Sequence, residues 1–151
     1  MQEYALNRWY NFWSAMAVEF LFASHLKVKP NKNVFDKLVD FQIDCISFDH
    51  KTTVFPVGFE KSYEYAKKNK EELIDWLYLN QSNEGRKHFK NRLFIVLFDK
   101  KSKEHWKLKS EINILKQEIA NYLELFSVDK LTKLSYDNQE IVSDIIWIEK
   151  E

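Results

Sequence analysis

The stretch LVDFQIDCISF, residues 38–48, alternates Leu38, Asp40, Gln42, Asp44, Ile46 and Phe48 against Val39, Phe41, Ile43, Cys45 and Ser47. A two-residue period rich in β-branched and aromatic side chains places neighbours on opposite faces of an extended chain, so the stretch reads as a strand. The polar Asp49-His50-Lys51 reads as a turn, and Thr52 to Phe59 is a second β-rich run. An antiparallel hairpin is the simplest way to pair the two. Pro56 brings no amide hydrogen to a ladder, which predicts a bulge or an edge position late in the second strand.

Working outward, Leu6, Trp9, Tyr10, Trp13, Met16, Ala17, Phe20 and Leu21 recur at three- and four-residue steps, which predicts a first helix over Leu6–Leu26 with a wide buried face. Arg8, Asn11 and Glu19 fall on its other side, and Pro30 forbids helical continuation. Leu26 to Lys29 reads as a short strand. On the other flank, Ser62 is placed to cap a helix running to Asn80, followed by a polar loop from Gln81 to Asn91. Leu93 to Phe98 is a continuous apolar run, the pattern of a central strand buried on both faces. Leu108, Ile112, Leu115, Ile119, Tyr122 and Phe126 then step by four and three along a helix beginning near Ser102. A turn at Asp137-Asn138 leads to a last strand, Ile141 to Ile148. The succession predicts a mixed α/β fold in a single domain over residues 1–151.

Composition narrows the classes. Of 151 residues 45% are apolar or aromatic, enough for one core, and two glycines with two prolines leave no flexible linker. Cys45 stands alone, so no internal disulfide forms, and the four histidines show no metal-ligand spacing, reading instead as ordinary surface or turn residues. Met1 to Glu3 lead straight into an aromatic amphipathic segment, which does not read as a signal peptide. Phe12 to Leu26, the longest strongly apolar stretch, contains Glu19 and His25 and falls short of the roughly 20 residues that span a bilayer, so it reads as a buried helix. A cytoplasmic chain with no membrane partner is the expectation. Acidic and basic residues number 23 each, so bulk charge does not announce a nucleic-acid binder, yet Arg86, Lys87, Lys90, Arg92, Lys100, Lys101 and Lys103 cluster in sequence. That run is either a phosphate-contacting face or a set of solvated lysines.

The candidate chemistry lies in the carboxylates. Asp40 and Asp44 share one face of the first long strand, Glu60 closes the second, and Glu19 stands in the apolar first helix. Convergent carboxylates are what a hard cation such as Mg2+ requires. The same strand aspartates equally fit the solvated face of a one-sided strand.

With a helix carrying a glutamate, the stretches HLKVKPN, LVDFQID and VFPVGFEKS, a helix opening SYEYAKK, and the strand RLFIVLF, the chain resembles the PD-(D/E)XK nuclease superfamily from about Arg8 to Lys100. The resemblance implies an α-β-β-β-α-β restriction-endonuclease-like core, here with an added long helix and C-terminal strand. It implies Mg2+-dependent cleavage of DNA, with Asp40 (or Asp44), Glu60 and Glu19 as ligands and Lys61 assisting the attacking water. The second-strand element departs from the family's acid, any residue, lysine: Glu60 and Lys61 are adjacent, so only a bulge brings both to one pocket. An eroded site is therefore one expectation. The alternative is a non-catalytic interaction module, an immunity- or antitoxin-like protein or a defence-complex subunit, which binds a protein partner or pairs with itself through the Leu108–Phe126 helix.

Overall fold

The computed structural model describes residues 2–33, 35, 39–80 and 89–151. Its elements run α1 (Gln2–Ala23), β1 (Val28–Pro30), β2 (Phe41–Ile43), β3 (Ile46–Val54), α2 (Tyr63–Lys68), α3 (Lys70–Leu79), β4 (Arg92–Asp99), α4 (Ile112–Glu124), β5 (Thr132–Tyr136) and β6 (Gln139–Lys150), with short 3-10 turns at Val57–Phe59, His105–Ser110 and Val128–Lys130. The six strands form one mixed sheet in the order β1-β2-β3-β4-β6-β5. β1, β2 and β3 are an antiparallel meander, β3, β4 and β6 are mutually parallel, and β5 returns antiparallel along β6. The fold is mixed α/β.

β4 shows why the sheet is covered on both sides. Leu93, Ile95 and Leu97 point into a core shared with Val18 and Phe22 of α1 and Leu115, Ile119 and Leu123 of α4. Phe94 and Val96 point the other way, against Leu73, Ile74, Leu77 and Tyr78 of α3. Five fully buried apolar side chains in a row contribute about 1.5–3 kcal/mol each, which makes β4 the strand the rest is built around.

Three elements differ from the sequence expectations. The hairpin between β2 and β3 turns at Asp44 (φ 48°) and Cys45 (φ 65°), leaving Asp49-His50-Lys51 inside β3. A two-residue turn with both φ positive matches the twist of the flanking strands, and Asp tolerates that conformation. Pro56 opens a 3-10 turn, so the second strand ends at Val54 short of Glu60. The helix expected over 62–80 breaks at Asn69 into α2 and α3, with Ser62 capping α2 by accepting a hydrogen bond from the Tyr65 amide (3.1 Å). The long helix expected from Ser102 begins as a 3-10 turn and becomes α-helical only at Ile112.

The largest departure is α1. The helix forms, but its buried residues are Ser14, Val18 and Phe22, while Leu6, Trp9, Trp13, Met16 and Phe20 stand in solvent. The expected buried face points outward. No helix among the described residues is long and apolar enough to cross a membrane.

Candidate metal centre

Asp40 lies just before β2. Its amide donates to the Phe48 carbonyl (2.9 Å), which sets it beside β3, and its Oδ2 accepts a hydrogen bond from the His50 amide (2.8 Å). The same oxygen lies 3.6 Å from His50 Nε2. From above, α1 lowers Glu19 toward the pair, because Val18 and Phe22 anchor that end of the helix on the sheet. One ligand atom from each of Glu19, Asp40 and His50 lies within 4.8 Å of the others. Ligands on one cation at about 2.0–2.2 Å sit roughly 3 Å apart, so small side-chain rotations close the set.

His50 is the unusual member. Its side chain is 7% exposed, and its ring lies nearly parallel to those of Phe22 and Phe41, centroids 6.2 and 6.1 Å away. Its Nδ1 is buried with no hydrogen-bond partner, as is Thr52 Oγ1 two residues on along the same face. Buried polar atoms are almost always paired, so an orphaned Nδ1 on a ring whose Nε2 approaches the Asp40 carboxylate calls for a reason. Two carboxylates and one imidazole suit a divalent cation of borderline softness.

Asp49 and Lys51 flank His50 in sequence, and Asp49-His50-Lys51 reads acid, any residue, lysine. Strand alternation sends both flanking side chains to the α3 side of the sheet. There Asp49 accepts three hydrogen bonds from Arg92, from Nε at 2.9 and 3.1 Å and from Nη2 at 2.8 Å. Burial opposes the Arg92 charge, but Asp49 outweighs it and holds the guanidinium above its ordinary pKa. Lys51 lines a cavity with Trp76, Leu77 and Phe94, where burial, and after it the charge of Arg92, lowers its pKa.

The other sequence-predicted residues are dispersed. Asp44 occupies the hairpin turn at the start of β3, and Glu60, exposed with φ 59°, follows the 3-10 turn beyond its end. At roughly 3.3 Å per residue the strand between them spans about 26 Å, so these two carboxylates do not share a cation. Lys61 is held on the surface by Glu72 (2.6 Å) and the Tyr65 hydroxyl (3.2 Å). The expected grouping of Asp40, Asp44, Glu60 and Lys61 does not form, because the hairpin turns earlier than the sequence expectation placed it.

Of the basic run, Arg86 and Lys87 lie outside the described residues. Lys90 and Arg92 are at the start of β4, whereas Lys100, Lys101 and Lys103 lie past its far end, about 23 Å on at the usual rise. Lys100 is paired with Glu149 (3.5 Å) and Glu151 (3.3 Å). The run makes two separate patches at opposite ends of the sheet. Along the Leu108–Phe126 segment, Leu108, Leu115 and Ile119 are buried in the chain's own core, which uses the face expected to meet a second copy.

His50 is the member of the candidate site that sequence reasoning passed over. The available signal was Asp49-His50-Lys51 nine residues after Asp40, which the misplaced turn concealed. A cavity of about 470 Å³ between α4 and β6 lies two strands from His50. Two of the acids that line it are engaged, Asp144 by Lys70 and Tyr122 (2.9 Å each) and Glu149 by Tyr63 (2.7 Å) and Lys67. Comparison of the chain with protein-family models, with curated proteins and with solved structures found no match.

Proposed function

We propose that this domain is a divalent-cation-dependent, nuclease-like module acting on DNA, with its cation held by Glu19, Asp40 and His50. The observation that carries the reading is the buried, incompletely bonded His50 side chain converging with two carboxylates. The order of helix, three strands, helices and parallel strand, with an aspartate entering the second strand, adds support. A cation in such a set polarises a phosphoryl oxygen and lowers the pKa of a bound water. The imidazole shifts the expected preference from Mg2+ toward Mn2+ or Zn2+. Asp40 positions the His50 backbone, and the Phe22 and Phe41 rings keep the imidazole plane fixed. Lys61 is tied to Glu72 and Lys51 lies on the other face, so neither of these two lysines assists an attacking water at this centre, and slow turnover by the isolated chain is expected.

The test is calorimetric titration of the full chain with Mn2+, Mg2+ and Zn2+ in turn, paired with plasmid nicking in each. Binding is expected to vanish in Asp40→Asn and His50→Ala and to persist in Asp44→Asn and Glu60→Gln, with nicking following binding. A folded chain that takes up none of the three cations, or one whose uptake ignores Asp40→Asn, removes the reading. A non-catalytic interaction module is the second reading, favoured by the exposed apolar side chains of α1. Cation-independent association with a protein supports it.

A further inference from the structure

We propose that the outward face of α1 is a homodimer interface, on which α1 of a second copy of this chain packs antiparallel. Leu6, Trp9, Trp13, Met16 and Phe20 follow one another at steps of three, four, three and four, the spacing of a helix seam. At 100° per residue this seam runs about 160° round the helix from Ser14, Val18 and Phe22, the residues α1 buries in its own domain. A helix with an apolar stripe on each side is built to be covered on both. Trp9 is 61%, Trp13 51% and Phe20 70% exposed, and no charged residue interrupts the seam.

The area decides the occupant. Each large aromatic side chain offers about 150–250 Å² when fully covered. At half to two-thirds exposure, the seam with its neighbour Phe12 presents on the order of 600–850 Å², close to the roughly 800 Å² that each partner contributes to a stable interface. An isologous contact lets the same stripe serve both sides. Antiparallel pairing opposes the two helix dipoles, and it lays the half of α1 before Tyr10, which has no buried residue of its own, along the better supported half of the other copy. With the two-fold axis at Trp13, Leu6 faces the partner's Phe20. This interface is independent of the proposed cation chemistry.

Sedimentation equilibrium of the full chain over about 1–100 µM is expected to show a dimer. Trp9→Glu with Trp13→Glu, both on the exposed face, should weaken dimerisation by at least about 100-fold, since buried Trp side chains are the usual anchors of such an interface. In a Cys45→Ser background, Trp13→Cys should form an intermolecular disulfide under mild oxidation and Leu6→Cys should not. That second measurement stands even if the double charge variant fails to fold. A wild-type monomer at the highest concentration, a dimer indifferent to both glutamates, or cross-linking of Leu6→Cys to itself overturns the proposal. So does a monomer that co-sediments with phospholipid vesicles through α1.

Discussion

Arg92→Met separates two roles for an arginine that its sequence neighbourhood marks as a phosphate contact. In the structure Arg92 and Asp49 tie the start of β4 to β3 by three hydrogen bonds, with side chains only 11% and 18% exposed. Methionine keeps most of the bulk and leaves the Asp49 carboxylate without its partner. Breaking a buried ion pair on one side costs about 3–5 kcal/mol, and the residual exposure of Asp49 lowers the expectation to about 2–3 kcal/mol. With a urea m-value of about 2 kcal/mol/M, the unfolding midpoint should fall by about 1–1.5 M. The double variant Asp49→Leu with Arg92→Met removes both charges and should recover most of that loss. The assay is equilibrium urea unfolding followed by tryptophan fluorescence. A midpoint shift below about 0.3 M, accompanied by a DNA affinity whose salt dependence drops by about one ion, would refute the structural assignment and return Arg92 to the nucleic-acid surface.

Two further perturbations probe particular features. Cys45→Gly relieves a side chain held at φ 65°, so a thermal melt should show a gain of about 0.5–1 kcal/mol, and a loss would mean that the turn is built differently. Burial raises the Glu149 pKa, but hydrogen bonds from Lys67 and Tyr63 outweigh it and hold the carboxyl below its usual 4.5. Its contribution is therefore complete above about pH 4.5 and lost as pH falls through the lower folded value. Melting temperature against pH should fall more steeply there for the natural chain than for Glu149→Gln, and parallel curves would contradict the sign.

Elements whose local pattern has one physical solution were legible in the sequence. The unbroken apolar run of β4 needs two covered faces, the Ser62 cap needs a helix after it, and Asp137-Asn138, both at positive φ, make the turn that joins β5 to β6. Periodicity is blind to what it faces, which is why α1 was recognisable as a helix while its outward stripe passed for the buried one. The hairpin failed for a related reason. Asp44-Cys45 and Asp49-His50-Lys51 are both polar enough to turn, and alternation alone does not choose between them. That slip carried the candidate site with it: Asp40 and Glu19 were visible as carboxylates, but placing His50 among them required knowing that it lay in a strand.

The strand order has a consequence for synthesis on the ribosome. Asp49 and Arg92, neighbours across β3 and β4, are 43 residues apart, and Arg92 and Ser143, neighbours across β4 and β6, are 51 apart. The β2–β3 hairpin closes over two residues and can form within about 1–10 µs of emerging. β4 instead waits for β6, and at about 5–20 residues per second the intervening fifty residues take about 3–10 s. Through that interval Leu93 to Phe98 presents an unpaired, strongly apolar edge, the kind of segment that recruits other strands. Yield of the nascent chain should thus depend on chaperones that shield this one strand, more than on the final stability of the folded sheet.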